Sequence, residues 1–166
     1  MSIPPPDHNP HLEFMRRAIA LSSRAAIEYA TGGAFGALIV KDGKILAEGM
    51  NRVIASHDPT WHAEMEAIRL ACITLQSFKL TGTSLYTSAE PCPMCLAAAY
   101  WAGIERIYYA ATIADAWEYG GFDDRFIYQE LALSPGQRCI PMTGLLREEA
   151  VEVWKQYQAK PDKVPY

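Results

Sequence analysis

Ser84-Leu85-Tyr86-Thr87-Ser88-Ala89-Glu90-Pro91-Cys92-Pro93-Met94-Cys95 is the stretch from which the rest of the chain can be read. Ser84 to Ser88 reads as a short strand, Pro93 to Ala102 as a helix and Ile104 to Ala110 as a second strand, which makes a strand-helix-strand unit. Upstream, Phe35 to Lys41 and Lys44 to Gly49 are apolar, strand-like runs around Asp42-Gly43, a strong two-residue hairpin signal, so these strands are expected to be antiparallel. Asn9-Pro10 reads as an N-cap with proline in the first turn, opening a helix to about Tyr29 that Thr31-Gly32-Gly33 stops. Asn51 to Thr60 is rich in turn formers and leads into a helix from about Trp61 to Gln76. Beyond the second strand the pattern predicts an irregular stretch to about Asp123, a short helix to Leu131, a short strand near Gln137 to Ile140 and a helix from Leu145 to Gln156. Alternating units of this kind imply an α/β fold, a three-layer α/β/α sandwich with a mixed central sheet of about five strands. Residues 1–166 read as one domain, with a loose Pro-rich segment at 1–8 and a tail at 159–166.

Composition narrows the function classes. At 166 residues and 50% hydrophobic content the chain has material for a core without staples, since a chain of this size buries roughly 70% of its unfolded surface. It has no run of about 18 apolar residues to span a bilayer, and its N-terminus lacks the basic and apolar regions of a signal peptide, so a cytoplasmic location is expected. Four cysteines fit that expectation: Cys92 and Cys95 share a motif, while Cys72 and Cys139 stand singly in apolar surroundings and read as core thiols. The net charge of −4 argues against a phosphate-gripping surface. Arg16, Arg17 and Arg24 on one helix are too few to outweigh it, so a small-molecule substrate is favoured over nucleic acid.

Cys92 and Cys95 acquire a meaning from His62-Ala63-Glu64, thirty residues upstream. Alone, a Cys-x-x-Cys between strand and helix also fits a redox motif. Joined by a histidine it supplies three zinc ligands, and no further Cys or His at regular spacing completes the four-coordinate shell of a structural site. A three-ligand site leaves room for a water, which zinc makes a nucleophile near neutral pH. Glu64 lies two positions from His62, and i, i+2 residues do not share a helix face, so it is expected at the mouth of the site as a proton carrier and not as a ligand. His62 with Glu64, and Cys92 with Cys95, are expected in the first turns of two helices, whose N-terminal partial charge favours thiolate. His57, between Ser56 and Asp58, reads as a turn residue, and His8 and His11 as exposed.

The spacing His-x-Glu followed by Pro-Cys-x-x-Cys resembles that of the cytidine deaminase-like zinc deaminases. Within that superfamily, Gly33-Ala34-Phe35-Gly36-Ala37, Asn51, Asp58-Pro59-Thr60-Trp61, Tyr100-Trp101-Ala102, Phe122-Asp123-Asp124-Arg125 and a terminal Tyr166 resemble the bacterial guanine deaminases. The resemblance implies hydrolysis of guanine to xanthine and ammonia, with Zn2+ as cofactor and Glu64 as proton shuttle. It further implies that Asn51 hydrogen-bonds the purine, that Phe35 and Trp101 pack against it, and that Asp124 takes part in recognition or proton movement. It implies a homodimer in which the tail, ending in Tyr166, crosses to cap the partner's site. Ala114 to Gly121 departs from the guanine deaminase pattern, which leaves related aminated heterocycles such as aminotriazines as alternative substrates. A tRNA-editing adenosine deaminase shares the metal motifs but needs a basic surface, and a non-catalytic zinc module would need a fourth ligand.

Overall fold

The computed structural model describes residues 9–164. They divide into two compact units, the first ending at Asp124 and the second starting at Arg125; Pro165, Tyr166 and the first eight positions lie outside the described residues.

The first unit is built on a four-stranded sheet of β1 (Gly36–Lys41), β2 (Lys44–Met50), β3 (Thr83–Ala89) and β4 (Arg106–Ala111), in the order β2-β1-β3-β4. The Asp42-Gly43 hairpin forms as its sequence requires: both residues have positive φ, 49° and 71°, the twist that joins antiparallel strands closely. β1 is also antiparallel to β3, and β3 runs parallel to β4 across an intervening helix, so the sheet is mixed as expected. It has four strands among the described residues where about five were expected. Gln137 instead ends a 3-10 turn (Pro135–Gln137) and 138–140 are bends, because the turn formers Pro135-Gly136 and Pro141 leave too short a run between them for a strand.

Helices cover both faces. α1 (Pro10–Ser23) is capped by the Asn9 side chain, which accepts from His11 N–H at 3.1 Å, and continues as a π-helical turn over Arg24–Glu28. Its buried stripe of Ala18 and Leu21 packs with Leu38, Val40 and Tyr86 on one side of the sheet. The opposite side carries α3 (Ala63–Leu75), with α2 (Val53–Ser56) a single turn in the loop before it, and α4 (Pro93–Ala102). There Ile39 and Leu85 meet Ala63, Ala67, Ile68 and Ala71, so successive residues Leu85 and Tyr86 serve opposite cores, as strand alternation dictates. α3 comes close to β2 because position 49 has no side chain. A Cβ there would lie 2.1 Å from the Ala63 carbonyl oxygen and 2.7 Å from the Ala67 nitrogen, which fixes the height of the first turn of α3.

The stretch expected to be irregular contains α5 (Ile113–Gly120). A capping box starts it, with Thr112 and Asp115 bonding reciprocally across the first turn. The second unit holds most of α6 (Asp124–Ala132), and α7 (Arg147–Ala159). Within it the Arg138 guanidinium donates to the carbonyls of Glu130, Leu131 and Leu133. Cys139 is exposed, so the reading of it as a core thiol is corrected: without a strand at 137–140 nothing folds over it. Cys72 is partly buried against the core, as expected.

Candidate active site

His62 and Cys92 are the N-cap residues of α3 and α4, one position outside the first turns in which they were expected. Their backbones are extended (φ −77°, ψ 157° and φ −65°, ψ 167°), and neither side chain caps its own helix, which leaves imidazole and thiol free to ligate. Pro93 at N1 explains the shift at Cys92, since proline has the φ of a helix start and lacks the N–H that has no partner there. Cys95 follows at N3. α3 packs against α4, and this brings the two starts together.

The His62 Nδ1 lies 3.5 Å from Cys92 Sγ and 3.5 Å from Cys95 Sγ. Tetrahedral zinc, with Zn–N of about 2.0–2.1 Å and Zn–S of about 2.3 Å, would separate such atoms by about 3.6 Å. All three donor atoms lie within 4.8 Å of one another, and theirs is the group that could hold a metal among the described residues. One nitrogen and two sulfurs are the donors zinc favours over harder cations. The Cys95 hydrogen bond pulls Cys92 down to about 4, with help from His62, and the same bond pushes Cys95 up. His62 is raised chiefly by its bond to Cys92.

Glu64 is buried, 3% exposed, where the sequence suggested a place at the mouth of the site. The first turn of α3 points its carboxylate inward at β3. Its Oε1 accepts a 3.2 Å hydrogen bond from the Thr87 hydroxyl, while Oε2 is buried with no partner. Burial pushes this carboxyl above its ordinary range.

A cavity of about 300 Å³ opens beside His62, lined also by Phe35, Asn51, Ile54, Phe122 and Asp124. Three of the expected purine contacts, Asn51, Phe35 and Asp124, thus converge on one space with a metal ligand. Asn51 is held on three sides: its N–H donates to the Phe35 carbonyl, its carbonyl accepts from the Thr31 hydroxyl, and its Oδ1 accepts from Val53 N–H at 3.2 Å. That last bond is the local turn its residue type favours. It also fixes the amide plane and leaves the NH2 group as the donor at the cavity. Asp124 opens α6, its carboxyl raised by burial and then by the charge of Cys92.

Residues 8–111 match the cytidine and deoxycytidylate deaminase zinc-binding region. This chain belongs to that family. A guanine deaminase from Bacillus subtilis (strain 168) is 46% identical over 153 residues, which span 90% of this chain and 97% of that protein. The X-ray structure of guanine deaminase from Bacillus subtilis matches with a TM-score of 0.89 at 45% identity, covering 94% of this chain and 98% of that one. A tRNA-specific adenosine deaminase from Agrobacterium fabrum (strain C58) is 46% identical over 76 residues, 46% of this chain and 50% of that protein. The deaminase fold and a zinc cofactor are thus established for this chain, and His62, Cys92 and Cys95 are the residues positioned to hold the ion.

One expected contact, Trp101, is not brought to the cavity within this chain. Trp101 sits in the last turn of α4, 65% exposed, with its carbonyl bonded by Lys79. Nine residues of helix put it about 13 Å along the axis from Cys92, so within this chain it does not join the cavity. Tyr166 lies outside the described residues. His57 is an exposed turn residue with φ 51°, as its neighbours implied. Sequence reasoning missed Thr87. Its signal was the alternation of β3, which sets Thr83, Leu85 and Thr87 on one core-facing side, where a buried hydroxyl requires a partner.

Proposed function

We propose that this chain is a zinc-dependent guanine aminohydrolase, converting guanine and water to xanthine and ammonia. The observation that carries the chemistry is the buried, unpartnered Oε2 of Glu64 beside a donor set of one imidazole and two thiols. Guanine as substrate is supported by a likeness that runs over 90% of the chain to a guanine deaminase, against 46% of it for the tRNA-specific enzyme, and by a net charge of −4. Zinc, when bound by His62, Cys92 and Cys95, supplies the Lewis acidity that makes water a nucleophile at neutral pH.

Glu64 holds and moves the protons. Oε1 is tethered by Thr87, so Oε2 takes the first proton that water gives up and delivers it to the ring nitrogen next to carbon 2; it then takes the second proton from the new hydroxyl on carbon 2 and gives it to the amine, which leaves as ammonia as the carbonyl forms. A carboxyl raised by burial suits a group that must both take and return a proton near neutral pH. Asn51 donates from its fixed amide to an acceptor on the purine, Phe35 packs on its face, and Asp124 reads its polar edge. Trp101 and Tyr166 complete the enclosure only if a second copy supplies them. We assign the chain to the cytoplasm and to a homodimer that exchanges its C-terminal segments. Among the described residues no hydrophobic side chain after Ala102 is buried, which leaves apolar surface on α6 and α7 for a partner to cover.

Ammonia release by the zinc-loaded protein from guanine, adenine, cytosine, an aminotriazine and tRNA tests the assignment. Guanine is expected to show the highest kcat/KM. A higher value for any other substrate defeats the guanine reading and leaves the zinc chemistry standing.

A further inference from the structure

A second cavity, of about 410 Å³, adjoins the first and is lined mainly by small apolar groups, among them Ile19, Ala34, Ala89, Ala110 and Ala116. Phe35 and Phe122 line both cavities. Their rings meet edge to face, with centroids 5.0 Å apart at 74°, so together they form the partition between the two spaces.

The partition is built with unusual care for a ring that is 42% exposed. A Cβ on Gly33 would lie 2.8 Å from Phe122 Cζ and 2.8 Å from Phe35 Cε2, and a Cβ on Gly120 would lie 2.7 Å from Phe122 Cδ2. Neither glycine has positive φ. Their backbone conformations are open to any residue, so it is the absence of a side chain that the packing uses. Phe122 is seated between two bare stretches of backbone, which confine its ring where core packing does not.

We propose that Phe122, locked between Gly33 and Gly120 against Phe35, is the specificity-determining wall that restricts this enzyme to the free base. The inference rests on the guanine reading above and deepens it. Carbon 2 must stand at His62, Cys92 and Cys95, so the opposite edge of the purine, with C8 and N9, extends away from them. A bulky substituent on that edge needs space beyond the catalytic cavity, and the wall denies it the adjoining one. That second space is mainly apolar, and of its polar lining groups Ser22, Ser88 and Asp115 are already bonded within the protein, so it fits a hydrocarbon or aryl substituent better than a ribose with three hydroxyls needing partners. Removing the wall joins the cavities and admits such substrates.

Guanine and 9-benzylguanine are compared on the zinc-loaded full chain, the native protein beside Phe122→Ala, Phe122→Leu and Gly33→Ala. The native protein is expected to favour guanine by on the order of 100-fold in kcat/KM, and Phe122→Ala to narrow that ratio by about tenfold or more, chiefly through KM for the benzyl compound. Gly33→Ala displaces the ring and narrows it in the same direction; Phe122→Leu serves if the alanine variant does not fold. An unchanged ratio in the folded variants, or a native protein that accepts 9-benzylguanine as readily as guanine, overturns the proposal. Should guanine itself prove not to be a substrate, the guanine reading fails separately. Calorimetric binding of 9-benzylguanine still decides the wall, which predicts about tenfold tighter binding to Phe122→Ala than to the native protein and is refuted by equal affinities.

Discussion

Thr87 donates its hydroxyl proton to Glu64 Oε1 from the central strand β3, 23 residues away in sequence, and so decides which oxygen of a buried carboxylate is left to work. Glu64→Ala is expected to keep its zinc and its fold while turnover falls by on the order of 10²-fold to 10⁴-fold, the range for a positioned proton carrier. Thr87→Val, which keeps the shape and removes the donor, should lower kcat by about tenfold with KM little changed, since a hydrogen bond to a charged group is worth about 1.5–3 kcal/mol and only part of it is specific to the transition state. Zinc content, circular dichroism and steady-state kinetics check both. Full turnover in Glu64→Ala removes the residue from the mechanism, and loss of zinc makes it a ligand.

The metal is expected at one ion per chain. Cys95→Ser should reduce zinc retention through dialysis against a chelator, because the buried thiol is replaced by a poorer donor at a longer reach. Stripping the native protein should also lower its melting temperature, as any ligand bound only by the folded state stabilises it. Elemental analysis and a thermal scan with and without added zinc are the measurements; a folded, active protein free of metal contradicts the site.

The parts legible from sequence were those set by short spacings. Asp42-Gly43 dictates its hairpin, and His62, Cys92 and Cys95 lie at helix starts whose entry loops can be read from local residues. What was lost depended on distance in the chain. Thr87 becomes functional only because Glu64 on another element turns towards it, and Phe122 only because Gly33 and Gly120 leave it room. α5 was misread despite its Thr112-x-x-Asp115 capping box, because the aromatic and glycine content of Trp117 to Gly121 weakens the helical pattern over so short a span. Trp101 shows the converse limit: a motif match carries a residue's type but not the end of the helix on which it is useful.

Asp124→Ala should lower kcat/KM for guanine by on the order of tenfold to 100-fold, the range for one lost polar contact to a substrate in an enclosed site. Stability should change little, because the carboxyl is raised by burial in the folded protein and so contributes no stabilising charge there. Equal effects on guanine turnover and on the denaturation midpoint would assign the residue to the fold.

Arg17 and Glu48 join α1 to β2 through two bonds of 2.7 and 2.6 Å, and the arginine holds the Glu48 carboxyl below its ordinary value. A depressed folded-state pKa stabilises above the unfolded value, near 4.3, and that contribution is lost as pH falls through the folded value. Both side chains are part-exposed, at 41% and 31%, so the pair is worth about 0.2–1 kcal/mol. Glu48→Gln should be destabilised by that amount in urea at pH 7, and the deficit should shrink as the pH is lowered below the unfolded value. A deficit that persists in acid would mean the substitution acts through packing.

The C-terminal unit gives the last test. α7 has no buried residue, yet Val153 and Trp154 are 64% and 68% exposed and Val164 is 59% exposed. Apolar surface of this extent is costly in water, and a second copy of the chain would cover it. The tail turns back on α7, where the Tyr157 hydroxyl donates to the Val164 carbonyl at 3.2 Å, and Trp154 meets the Tyr157 ring edge to face. Deleting residues 159–166 should therefore lower guanine turnover by about tenfold or more while zinc content and the fold of the first unit persist, if the tail reaches a partner's cavity and helps exclude water from it. Light scattering of the intact chain should report a dimer. Full activity in the truncated protein, or an active monomer, would falsify the exchange.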